Sequence, residues 1–222
     1  MSEHATKVRN FFDRRLAAYD AFYEPASPLH RRFNRIFRKA VYLRRDQTME
    51  LAKRYGCRSV LEVGCGSGQN AVWFVRNGAD RVTGVDISGE MVDKATKLAA
   101  LAGVSDQCVF QHNDFLSMAE GPRFDLVVAV GVFDYVEDSR TFLTHMTKFA
   151  DRVVYVSFPG WNLIRSPLRK IRYALRGCPT HFYRRREIEE LFQNVGFGPM
   201  GLKPVPSGYL AWANAEGMDG LA

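Results

Sequence analysis

The stretch RSVLEVGCGSGQNAVWFVRNG, residues 58–78, most narrows what this chain can fold into. An apolar segment of strand character runs into three glycines at alternate positions, Gly64, Gly66 and Gly68. A segment with Ala71, Val72, Phe74 and Val75 at helical spacing follows and closes at Gly78. Strand, glycine turn, helix is the opening of a βαβ unit, and the same alternation continues downstream. RVTGVDI reads as a strand, about Gly89 to Ala102 as a helix closed by Gly103, and QCVFQHND and FDLVVAVGV as further strands. A helix over roughly Ser139 to Phe149 then leads to the strand DRVVYVSF. LVVAV and VVYVSF are apolar on both faces, so both faces of those strands must be covered by helices. The fold class predicted is α/β: a doubly wound, mostly parallel sheet with right-handed crossovers.

The flanks read differently. Residues 1–56 are helical in pattern apart from EPASP, and form an expected N-terminal cap or lid. Residues 57–222 form the expected α/β domain, with a basic helical insertion over 159–183 and two weaker strand candidates at the end. The 222 residues are consistent with one domain and one sizeable core. The net charge of +7 is unevenly spread: +7 over 1–56, −4 over 57–158 and +4 over 159–222. Such asymmetry suits an anionic partner met by the flanks, or solvated helix faces. No segment has the length of a signal peptide or a membrane span, so a cytoplasmic location is expected. Cys57, Cys65, Cys108 and Cys178 show no C-x-x-C spacing and read as buried thiols.

Glycines between a strand and a helix let backbone approach a ligand, with N–H groups of the helix start available to it. A dinucleotide site would carry G-x-G-x-x-G, whereas the spacing here is G-x-G-x-G. Asp86, ending the second strand 22 residues after Gly64, is suitably placed to hold ribose hydroxyls in either ligand class. At this level the sugar is supported and the rest of the ligand is open.

LEVGCGSG, VTGVDISGEMVDKA, HNDF and FDLVVAVGVFDYVED, in that order over about Val60 to Asp138, resemble the motifs of class I S-adenosylmethionine-dependent methyltransferases. VVYVSFP and FYRRREIEELFQNVGF resemble that superfamily's C-terminal half, as found in small-molecule enzymes acting on quinone or porphyrin precursors. The resemblance implies a Rossmann-like, seven-stranded sheet and S-adenosylmethionine as cofactor. It also implies roles. Glu62 would anchor the loop and the methionine amino end, and Gly64, Cys65, Gly66 and Gly68 would pass beneath the cofactor. Asp86 would take the ribose hydroxyls, with Ile87 on the adenine edge. Asp114 would accept from the adenine amine beside Phe115, and backbone near Val130 and Gly131 would receive the amino acid portion. Met91 and Ala95 read as core, and His112 near Asp114 lacks a third ligand for a metal.

Methyl transfer from a sulfonium is a direct displacement that needs alignment and no covalent enzyme intermediate. Many relatives carry a Glu-His pair after the fourth strand; this chain has Asp134 and Tyr135, which become the candidates for catalysis or pocket shaping. Tyr19 is the expected lid residue of the N-terminal cap. The insertion mixes apolar residues with eight Arg or Lys between Arg165 and Arg186, suiting an acidic small-molecule acceptor or peripheral contact with an anionic membrane. GVFDYV stands where nucleic-acid methyltransferases carry N/D-P-P-Y/F, which argues against a nucleic-acid acceptor. Two alternatives remain: another chemistry on the same cofactor, such as aminocarboxypropyl transfer or cyclisation, and an RNA- or membrane-binding protein regulated by it.

Overall fold

The computed structural model describes residues 3–13, 43–161, 165–174, 178 and 180–215. Seven strands form one sheet in the order β3-β2-β1-β4-β5-β7-β6. These are β1 (Ser59–Val63), β2 (Arg81–Asp86), β3 (Cys108–His112), β4 (Phe124–Ala129), β5 (Ala150–Pro159), β6 (Met200–Val205) and β7 (Gly208–Asn214). The first five run parallel to one another, and β7 pairs antiparallel with both β5 and β6. The sheet is therefore doubly wound and mostly parallel, as the apolar runs require. Chain order reverses between β1 and β4, and the crevice beyond the carboxyl ends of those strands is where ligands of such sheets lie.

Alternate residues of the central strands feed two separate core layers. Leu126, Val128, Val153 and Tyr155 join Phe74 and Ala99 on one face, while Val127, Ala129, Val154 and Val156 join Phe142 and Phe192 on the other. The first layer contains residues of helices Gln69–Arg76 and Gly89–Ala102, the second those of Ser139–Thr147 and Arg185–Val195. Helical residues 43–54 also belong to the first layer: Met49, Leu51 and Ala52 are buried in it, and the Tyr155 hydroxyl donates to the Arg44 carbonyl at 3.3 Å.

Local chemistry sets the helix ends. Ser88 caps Gly89–Ala102 by accepting from the Met91 N–H, and Gly103 ends it at φ 71°. Asp138 caps Ser139–Thr147 by accepting from the Thr141 N–H at 3.0 Å. That helix stops two residues before the expected Phe149, because Phe149 is buried under the sheet and Ala150 already opens β5. The basic insertion leaves the end of β5 and returns to it. Tyr183 N–H donates to the Pro159 carbonyl (2.9 Å), and Trp161 N–H to the Tyr183 carbonyl (3.0 Å). Within the insertion the helix is Arg165–Ala174. Among the described residues no helix is long and apolar enough to cross a membrane.

Candidate functional site

A cavity of about 1000 Å³ opens at the carboxyl ends of β1, β2 and β4, on the switch point of the sheet. Its sequence-predicted lining residues are Gly64, Cys65, Gly66, Asp86, Ile87, Asp114, Phe115, Val130, Gly131, Asp134 and Tyr135. Two expected site residues stand behind the wall: Glu62, on β1, and Gly68, in the turn after it, do not line the cavity. Tyr19 lies outside the described residues.

Each of the three glycines has positive φ: 69° at Gly64, 52° at Gly66 and 75° at Gly68. That conformation alone favours glycine. Protein also occupies the space that a side chain would need. A Cβ on Gly64 would stand 2.5 Å from Val132 Cγ2, and one on Gly68 2.9 Å from the backbone Cα of Ala95. So Gly64 and Gly68 admit neighbouring protein rather than a ligand, and Ala95 is core as expected.

The N–H groups of this loop correct the simplest expectation. Gly64 and Cys65 donate to the Val85 carbonyl (2.7 and 3.1 Å), Gly68 to the Cys65 carbonyl (3.1 Å), and Gly66 to the Asp86 carboxylate (2.8 Å). They are satisfied internally, whereas a pyrophosphate-binding turn keeps such groups free for the anion. This favours a ligand without a pyrophosphate.

Asp86 takes the Gly66 N–H on Oδ2 and the Ser88 N–H on Oδ1 (2.9 Å). A carboxylate has about four lone-pair positions, so acceptor capacity remains at the cavity wall. Burial raises its pKa, opposed by those two N–H bonds. Asp114 caps the single turn Phe115–Ser117 through the Leu116 N–H (3.2 Å), while Phe115 packs on Phe142 and Phe149 as well as lining the cavity. Met91, expected as core, is buried and also reaches the cavity.

Glu62 is 2 % exposed, and burial, with the nearby Asp86 charge, pushes its carboxyl up to about 8 against opposing hydrogen bonds from Asn70 and the Ala71 backbone. Oε1 accepts from Asn70 Nδ2 at 2.9 Å, and Oε2 has no hydrogen-bond partner among the described residues. An orphaned buried carboxyl oxygen beside a cavity-lining amide suits a cationic amino group, which would favour its ionised form, or a water. The carboxyls of Asp86 and Asp114 on the cavity wall, with this oxygen behind it, are a donor set that fits S-adenosylmethionine. His112 offers Nε2 to the Ile87 carbonyl (3.1 Å), and no group of residues able to hold a metal occurs among those described. Burial raises the pKa of the thiols of Cys57, Cys65 and Cys108, and all four cysteines are free.

The opposite end of the cavity has other owners. Helix Glu3–Asp13 lies across it, with His4 and Phe11 in the lining. His4 Nε2 is 2.7 Å from the Tyr135 carbonyl, and His4 Nδ1 is 3.6 Å from Glu137 Oε2. At the other end of the helix, Asp13 accepts from the Ser88 hydroxyl at 2.5 Å. Phe11, Tyr135 and Tyr173 form an aromatic trio with centroids 5.6–6.4 Å apart. Asp134 is buried, and its carbonyl accepts from the His181 N–H at 2.9 Å. The sequence reading did not find His4, Glu137 or Tyr173 as site residues. His4 meets a carbonyl 131 positions away, and no motif marks it.

Residues 60–151 match the family model described as "Methyltransferase domain". Among curated proteins, ajmaline N-methyltransferase of Rauvolfia serpentina is 31% identical over 94 residues, covering 42% of this chain and 32% of that protein. Ubiquinone biosynthesis O-methyltransferase of Bordetella avium is 25% identical over 177 residues, 72% of this chain and 70% of that protein. The chain thus spans about a third of the plant relative. Magnesium protoporphyrin IX methyltransferase from Synechocystis PCC 6803 with bound SAH superposes with a TM-score of 0.72 at 21% identity, covering 96% of this chain and 98% of that one.

Proposed function

From the premise that residues 60–151 are a methyltransferase domain of the class I, S-adenosylmethionine-dependent kind, we propose that this protein methylates a small acceptor at oxygen or nitrogen. The observation that carries the reading is the division of one cavity. Asp86, Asp114 and the Glu62–Asn70 pair suit an adenosyl amino acid at one end, and aromatic rings close the other.

When bound, the cofactor supplies a methyl group on an electron-poor sulfonium, whose bond to sulfur breaks with its electron pair staying on sulfur. The protein's work is then positional. Asp86 holds the sugar by its remaining lone pairs, fixed in rotamer by the Gly66 and Ser88 N–H groups. Asp114 orients the adenine amine, and Gly131, whose N–H donates to Ser157 Oγ at 2.8 Å, fixes the loop beneath the amino acid portion. Asp134 and Tyr135 shape the acceptor end, and helix Glu3–Asp13 excludes water from it.

The basic flanks favour an anionic acceptor. Lys170 and Ile171, neighbouring exposed residues on helix Arg165–Ala174, suit contact with an anionic membrane surface. Incubation with S-adenosylmethionine and a panel of phenols, carboxylates and amines tests the reading: S-adenosylhomocysteine is the expected product. Release of methylthioadenosine would replace it with aminocarboxypropyl transfer or cyclisation.

A further inference from the structure

We propose that a second cavity, between the basic insertion and helix Arg185–Val195, is a binding site for a small monocarboxylate separate from the methyl acceptor. The site goes beyond the methyl-transfer reading and does not depend on it.

This cavity has a volume of about 350 Å³. Trp161, Lys170 and Glu187 in its lining are exposed, so it opens to solvent, while Thr180, only 5% exposed, lies at its floor. Buried hydroxyls are ordinarily hydrogen-bonded. Thr180 Oγ1 is not, and neither is Nε2 of the adjacent His181: both atoms are enclosed and have no hydrogen-bond partner among the described residues. Two such atoms on neighbouring residues of one cavity wall point to a polar ligand. Other polar atoms of the lining are already engaged. The Ser139 and Tyr183 hydroxyls are 2.5 Å apart, and Glu187 Oε2 accepts from the Arg184 N–H at 2.6 Å.

The groups left over are donors. Lys170 makes no ion pair among the described residues. It faces His181 closely enough to lower the histidine's pKa, after burial and His4 and against Glu137. The neutral imidazole carries one proton, which Nε2 takes when an acceptor faces it, so ammonium, hydroxyl and ring N–H together suit a ligand that only accepts. Charge narrows the class further. Arg184, its guanidinium carbon 5.9 Å from the Trp161 ring centroid, adds a second cation, and Glu187 offsets one of the two. One net positive charge matches a carboxylate, whereas a phosphate monoester carries nearly two negative charges. The rings of Trp161 and Phe182, 6.4 Å apart at 78°, supply an apolar surface for the carbon body of such an acid.

The two cavities share no lining residue. Their contact runs through backbone, where the His181 N–H donates to the carbonyl of Asp134, a residue of the larger cavity, at 2.9 Å. A carboxylate held by Thr180 and His181 is therefore a second ligand behind the acceptor end.

The test is calorimetric titration of wild type, Thr180→Val and Lys170→Met with benzoate, and of wild type with inorganic phosphate. Thr180→Val keeps the shape of the side chain and removes the hydroxyl. Its affinity for benzoate should fall by about tenfold or more, as expected for a lost hydrogen bond to a charged group. Its thermal midpoint should equal or exceed that of wild type, because the hydroxyl it removes has no partner in the free protein. Lys170→Met should lose less, about threefold, since water screens an exposed ammonium. In ¹⁵N–¹H spectra of wild type, benzoate should shift the amide signals of residues 180–183. Vesicles containing phosphatidylserine separate this site from a lipid surface: Thr180→Val should bind them as wild type does. The proposal is overturned if wild type ignores benzoate at millimolar concentration, if phosphate binds more tightly than benzoate, or if Thr180→Val binds benzoate as wild type does. A clearly lowered midpoint in Thr180→Val would overturn it as well, by showing that the hydroxyl is already satisfied, and a loss of vesicle binding there would give the hydroxyl to a lipid headgroup instead.

Discussion

The two ends of the cavity are built by different means. The cofactor end is made of strand termini and the turn between β1 and the following helix, and its polar groups hold one another: Gly66 N–H on Asp86, Asn70 on Glu62, Gly64 and Cys65 on Val85. The acceptor end is assembled from three places far apart in the chain: helix Glu3–Asp13, the loop 130–138 and helix Arg165–Ala174. Among the described residues those parts are joined by side-chain contacts, with no sheet ladder between them. The first end is therefore set by the fold, and the second can vary without disturbing it.

Breaking the cofactor end should have the largest consequence. Gly68→Ala forces a side chain into left-handed backbone, costing about 1–2 kcal/mol, and drives its Cβ against the Ala95 backbone at 2.9 Å. A thermal midpoint lowered by more than about 5 °C is expected, on the scale of 2–4 °C per kcal/mol for a chain this size. A midpoint within a degree or two of wild type would mean that the turn is not held as described.

Glu62 gives the next effect through pH. Its folded pKa of about 8 lies above the ordinary 4.5, so the folded state binds the extra proton. The stability this group contributes is complete below about 4.5 and is lost as pH rises through about 8. Glu62→Gln, which cannot ionise, should show a smaller fall in thermal midpoint between pH 5 and pH 9 than wild type. Parallel curves would show that Glu62 titrates as an exposed acid.

At the acceptor end, Asp13→Ala removes the bond from the Ser88 hydroxyl that fixes one end of the N-terminal helix. Amide exchange over residues 3–13 should speed by about five- to tenfold, the scale of a net hydrogen-bond contribution. S-adenosylhomocysteine affinity should change less than about threefold. A larger loss of affinity would merge the two ends into one unit. The smallest effect expected is for Lys170→Glu with Ile171→Ser: weaker binding to vesicles containing phosphatidylserine by about fivefold, near 1 kcal/mol per basic residue. No change would return that face to plain solvation.

The same division governs what the sequence discloses. Local physics fixes the cofactor end: LVVAV must be covered twice, an acid closes the second strand, and glycines mark the turn. All of this is legible in short windows. Even there the glycines mislead in part, because Gly64 and Gly68 leave room for Val132 and Ala95, and the loop's N–H groups turn inward. The acceptor end depends on tertiary contacts such as His4 with Tyr135. No periodicity or motif announces a contact of that kind.

The central claim is that this cavity holds a sulfonium nucleoside by a carboxylate on its sugar. Calorimetric titration of wild type and Asp86→Ala with S-adenosylhomocysteine tests it most directly. Hydrogen bonds to a charged group contribute about 1.5–3 kcal/mol each, so binding to wild type and a ten- to more than hundredfold loss in the variant are predicted. Equal affinities, or a wild type that ignores the nucleoside at millimolar concentration and takes up a nicotinamide dinucleotide instead, would contradict it.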